Sequence, residues 1–149
     1  METDAKSLVH RWFEEVWNQG REATIDELFG EESVALGLGA GEAPVYGPAG
    51  FKVFWRNIRA ALPDVRISVE DTVAEADKVA ARVVLEGTHR GEGLGVPPTG
   101  HRVKIAGIVL VQIVNGRITR GWNSWDQLGL LQQLGALPSA GDRFLAANT

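Results

Sequence analysis

Asp126 stands where the chain changes period. Residues 122–135, WNSWDQLGLLQQLG, pass from an alternating strand pattern to an amphipathic helix within a few positions. A carboxylate at such a junction has two compatible uses. It can cap the helix LGLLQQL by accepting from its first backbone N–H groups. It can also act as a general acid/base, provided its basicity rises above the ordinary value of about 3.9. Burial among aromatic and aliphatic groups raises a carboxylate in this way, and Trp122, Trp55, Trp12 and Trp17 are the candidates to supply that setting. The same tryptophans are candidate stacking partners for a flat ligand, or else core.

Three further residues carry chemistry. Arg120 is a candidate to hold an anionic group or steady an enolate oxygen, or else it extends from the sheet into water. His89 shares strand parity with Val83, Leu85 and Gly87, which makes it a candidate second acid/base or a solvated strand end. Tyr46 and the loop GEGLGVPPTG either rim a pocket mouth or form a plain connection. The three histidines show no metal-ligand spacing, so no metal site is expected. Zero cysteines exclude thiolate nucleophiles and disulfides.

The elements that must position these groups follow from hydrophobic period. Leu8, Val9, Trp12, Phe13, Val16 and Trp17 form one helical stripe over residues 4–19, and Gly20 ends it. A short helix over residues 21–29 and a strand over residues 33–38 come next. Gly47 and Pro48 open a helix whose buried face is Phe51, Phe54, Trp55, Ile58 and Leu62, and Pro63 stops it. The period then falls to two. Strands over residues 65–70, 79–90, 101–114 and 117–125 are separated by a turn near Ala76 and Asp77, the Gly/Pro loop at residues 91–100, and Asn115-Gly116, a strong hairpin signal. If Ile118 points inward, parity sends Arg120, Trp122, Ser124 and Asp126 with it, and Thr119, Gly121, Asn123 and Trp125 to the other face. Helices followed by strands predict an α+β fold, a curved antiparallel sheet wrapped around N-terminal helices as a cone with one central pocket.

The 149 residues predict a single domain over 1–149, with 136–149 a loosely ordered tail. A net charge of −4 without a basic stripe excludes a nucleic-acid footprint. No apolar run approaches membrane-spanning length, and the acidic start lacks a secretory pattern, so a cytoplasmic location is the expectation.

This order of elements, with GTHRGEGLGVPPTG, VNGRI, the pair Trp122 and Asp126, and LGLLQQLG, resembles the SnoaL-like polyketide cyclases of the nuclear-transport-factor-2-like fold. The resemblance implies an aspartate general acid/base driving an intramolecular aldol-type ring closure or isomerisation, without metal or organic cofactor. It places that role on Asp126 and a polar partner on the preceding strand at Gln112. Arg120 stands where relatives often carry an acid. The implied partner is a small hydrophobic or aromatic molecule. The same fold also serves as a non-catalytic ligand-binding domain or an oligomerisation module, and a homodimer or higher homo-oligomer is expected.

Overall fold

A computed structural model describes residues 2–38 and 43–137. Helix α1 (Glu2–Arg11) runs into a π-helical segment (Trp12–Asn18), followed by α2 (Glu22–Leu28), β1 (Phe29–Leu36), β2 (Val45–Tyr46) and α3 (Gly47–Ala61). Strands β3 (Arg66–Glu75), β4 (Lys78–Thr88), β5 (Arg102–Val114) and β6 (Arg117–Trp125) then lead to α4 (Gln127–Gln133). One six-stranded sheet has the order β2-β1-β6-β5-β4-β3, with β2 and β3 as its two edges. The expected tail lies almost wholly outside the described residues.

Most of the expected elements form, for the reasons their residues suggested. Asn115 and Gly116 both take positive φ, 53° and 75°, which closes the β5–β6 hairpin in the direction strand twist favours. Gly20 and Gly135 stop their helices at φ 69° and 78°.

Three differences have physical causes. The single long first helix is instead α1 plus a π-helical turn, in which Gln19 N–H reaches the Glu14 carbonyl at 2.9 Å. The wider turn brings Trp12, Phe13, Val16 and Trp17 onto the sheet together, a grouping that the spacing of four residues also satisfies in an α-helix. β1 begins at Phe29, directly after α2, and pairs with β2, a two-residue strand too short to register as a period. The sheet is not wholly antiparallel, because β1 lies parallel to β6, with Phe29 opposite Ile118 and Leu36 opposite Trp122.

Side chains complete what backbone pairing leaves open. The Asn18 amide donates to the Ile67 carbonyl at 2.9 Å and accepts from the Ile67 N–H at 2.6 Å, so one side chain serves as a strand neighbour for β3. Trp55 Nε1 donates to the Val16 carbonyl and Arg59 to that of Trp17, both at 2.9 Å, satisfying two orphan carbonyls at the end of the π-helical segment. Gln133 does for β5 what Asn18 does for β3, accepting from Lys104 N–H at 2.7 Å and donating to the Lys104 carbonyl at 2.9 Å. α4 thereby covers the edge of β5 beyond the end of β6. Between the sheet and the helices lies one apolar core that includes Val16, Ile25, Phe51, Leu62, Val83, Val103 and Val109.

The helices are tied to each other by charge. Arg11 pairs with Glu15 at 2.9 Å and with Glu27, Arg21 pairs with Glu27 at 3.0 Å, and Thr24 donates to Glu15 at 2.7 Å. The Arg11 hydrogen bond, with the Thr24 hydroxyl, holds the Glu15 carboxyl below the usual range, and Arg11 with Arg21 does the same for Glu27. Such groups bind fewer protons folded than unfolded. Their stabilisation is complete above the unfolded carboxylate range of about 4.3 and is lost as pH falls through the lower folded values. Thermal melts from pH 6 downwards are expected to show this loss as an acid-side fall in midpoint that is shallower in Glu15→Gln.

Candidate functional site

The concave side of the sheet and the helices enclose a partly open pocket of about 120 Å³. Its helical wall is Val9, Trp12, Phe13 and Trp17 together with Phe51, Phe54, Ile58 and Leu62 of α3. The sheet contributes Phe29 and Ala35 of β1, Ile67, Leu85, and Ile105, Val109 and Val111 of β5. Leu38, Leu94, Gln127 and Leu130 come from the connections and α4. Aromatic rings hold this wall by tilted and edge contacts, Phe51 lying 5.0 Å from Trp12 and 6.1 Å from Trp17 between centroids. Asn123 and Gln127 are the polar side chains in the lining, and no ionisable side chain lines it among the described residues. A charged ligand group would lose its hydration there with no counter-charge, so the pocket suits neutral molecules.

The contribution of β6 corrects the expected parity. Ile113 pairs with Ile118 but Gln112 pairs with Arg120, so Thr119 is one residue inserted without a partner. A one-residue bulge exchanges the two faces of everything beyond it. Ile118 faces inward as expected, and after the bulge the inward set is Gly121, Asn123 and Trp125. Trp122 leaves the pocket lining and lies under the Arg120 guanidinium, 5.7 Å from the ring centroid, with Arg120 exposed. Gly107, opposite Trp125 on β5, makes room for the indole, since a Cβ there would stand 2.6 Å from Trp125 Cε3.

The other candidate residues are spread over the molecule. Gln112 sits beside Arg120 and donates to Asp77 at 2.8 Å, near the β3–β4 turn. Six strand residues, roughly 20 Å, separate that pair from Asp126. Asp126 is exposed and caps α4, its carboxylate accepting from Gly129 N–H at 2.9 Å. A Cβ at residue 129 would stand 2.2 Å from Asp126 Oδ2, so Gly129 gives the capping carboxylate room in this rotamer. His89 is fully buried, not solvated, but outside the lining. Its Nδ1 accepts from Thr99 N–H at 3.3 Å and lies 3.1 Å from the Thr99 hydroxyl, clamping the 91–100 loop. That places the ring proton on Nε2, which has no partner among the described residues. Trp12 and Trp17 line the pocket, Trp55 is buried behind it, and Tyr46 is exposed at 68%. Leu94 brings the loop itself to the pocket wall.

Asn123, Trp125 and Gln127 were the residues parity missed. One signal pointed to them: Arg117 and Arg120 both belong in water but stand three residues apart, so strict alternation must slip between them, which turns Gly121, Asn123 and Trp125 inward.

The family model of the SnoaL-like polyketide cyclases matches residues 7–134. The chain belongs to this family. IdmH from Streptomyces antibioticus, a candidate polyketide cyclase, is 30% identical, with a TM-score of 0.77 over 88% of this chain and 98% of that one. AclR from Streptomyces galilaeus, a candidate hydroxylase, is 26% identical, with a TM-score of 0.82 over 99% of this chain and 91% of that one. A SnoaL-like protein from Jannaschia sp. CCS1 shares the fold at a TM-score of 0.83 and 24% identity, over 92% and 95% of the two chains. No curated protein sequence matches. Members of the SnoaL-like family bind small-molecule substrates. No helix among the described residues is long and apolar enough to cross a membrane.

Because Gly107 seats the Trp125 indole, Gly107→Ala is expected to push that ring into the cavity. Toluene affinity, followed by NMR titration, should then fall about tenfold, with the loss of stability kept near 1–3 kcal/mol as for other overpacked sites.

Proposed function

We propose that this chain is a cyclase-type enzyme that takes a small, neutral, ring-bearing carbonyl compound into the pocket, with Asp126 as the general acid/base acting from its rim. The observation that carries the substrate class is the lining itself, aromatic and aliphatic with two amides and, among the described residues, no ionisable side chain. In size, an apolar cavity of about 150 Å³ accommodates benzene, so about 120 Å³ here fits one ring. The partly open side lets the remainder of a larger substrate extend outward. Family membership supports ring closure as the reaction class.

Asp126 has one positional argument in its favour. It is the carboxylate between Trp125 and Gln127, both of which line the pocket. The cap engages one carboxylate oxygen, Oδ1, through Gly129 N–H, and a carboxylate has further acceptor capacity for proton transfer while it caps. The absence of an ionisable group in the lining favours a second reading, a ligand carrier without chemistry.

The two roles of Asp126 separate by substitution, because Asn caps a helix nearly as well as Asp while Ala does not. With a small cyclisable carbonyl compound as substrate, Asp126→Asn is expected to lower turnover by about 10²-fold or more with an unchanged thermal midpoint. Asp126→Ala should lose the same activity and also about 1 kcal/mol of stability, some 3 °C in midpoint for a chain of this size. Full turnover in Asp126→Asn would remove the aspartate from the mechanism. Binding without product in the wild type would establish the carrier.

The outer face of the sheet supports association with a second copy. Leu110 lies between Ala80 and Trp122 across the strands, and Ile108, 55% exposed, lies between Arg82 and Ser124. An apolar stripe of this kind, on a face that the helices do not cover, is suited to burial in a homodimer. Sedimentation is expected to give a dimer for the wild type and a monomer of unchanged fold for Ile108→Lys.

A further inference from the structure

We propose that Asn123 determines ligand specificity, its side-chain carbonyl accepting a hydrogen bond from a hydroxyl or N–H on an otherwise apolar, ring-bearing ligand. This rests on the pocket being the ligand site and goes beyond it by naming the group recognised.

The orientation of the amide follows from its neighbour. Asn123 Nδ2 stands 2.9 Å from the backbone carbonyl of Leu36. A carbonyl can only accept, so the nitrogen must face it and Oδ1 must turn the other way. Oδ1 accepts no hydrogen bond from any described residue, and Asn123 is part of the pocket wall. The end of β1 presses on this residue, since a Cβ at Gly37 would lie 2.0 Å from the Asn123 backbone oxygen. Pairing holds the register on both sides, with Leu36 opposite Trp122 and Val109 opposite Asn123. Gly121 leaves space on the same face, where an added Cβ would meet nothing nearer than 3.8 Å.

A fixed acceptor in an apolar wall discriminates more sharply than apolar contact alone. A ligand that brings a donor pairs with it, whereas one of the same shape without a donor strips the oxygen of water and returns nothing. An anion is disfavoured twice, by the carbonyl dipole and by the lack of a cation in the lining. The recognised class is thus a neutral phenol, enol or aryl amine.

The test uses the full chain and three probes of similar size, phenol, anisole and toluene, titrated by NMR shift perturbation. The wild type is expected to bind phenol about tenfold more tightly than anisole or toluene, the scale of one well-placed hydrogen bond. In Asn123→Leu the preference should vanish while toluene binding persists. Equal affinity for phenol and anisole in the wild type would overturn the inference and leave the pocket as the ligand site. So would a phenol preference that survives in Asn123→Leu. Failure of all three probes to bind would overturn the pocket reading and the inference with it. The comparison of probes on the wild type needs no variant, so it decides the matter even if Asn123→Leu does not fold.

Discussion

The single unpaired residue at Thr119 governs the character of the pocket. A strand has a side-chain period of two, so one inserted residue reverses the faces of all that follow. Beyond the bulge, Gly121, Asn123 and Trp125 enter the pocket wall, and Arg120 and Trp122 stack on each other outside it. Without the insertion a guanidinium would face the aromatic cluster around Phe51. With it, no ionisable side chain lines the pocket among the described residues. The bulge is itself held in place, since the Thr119 hydroxyl donates to the Gln112 carbonyl at 3.2 Å and Ser33 donates to the carbonyl of Ile118.

The same strand end explains why the Trp-x-x-x-Asp-x-x-Gly pattern occurs without requiring every member to touch ligand. Asp126 N–H makes a last rung with the Ala106 carbonyl at 3.1 Å, its carboxylate caps α4, and Gly129 leaves room for that carboxylate. α4 then returns along β5, placing Leu130 in the pocket wall and Gln133 on the free edge. The cap falls on this residue because the sheet ends and the helix begins here.

Much of the fold was legible because it depends on short-range rules. Asn115-Gly116 announces its hairpin through the positive φ both residues adopt, Gly47-Pro48 and Pro63 bracket α3, and the stripe from Val9 to Trp17 marks a buried helical face. The sequence was less informative where an outcome depended on partners distant in the chain. The two-residue β2 exists only because β1 offers it an edge, and the parallel β1–β6 contact joins residues about ninety positions apart. His89 shows the same limit at one residue. It lay on the buried face by parity, as the structure has it, but its clamp on Thr99 depends on how the loop returns.

The sequence by itself determined the family, the α+β order of elements, the aromatic helical wall and the capping position of Asp126, since each is written in local period, turn chemistry or motif. Only the tertiary structure decided which residues line the pocket. Trp122 and Trp125 are equally apolar and three residues apart, and nothing in their own chemistry assigns one to the pocket and the other to the surface. That choice is made by the pairing of β6 with β5 and β1, where one unmatched residue is accommodated at Thr119 and the faces exchange.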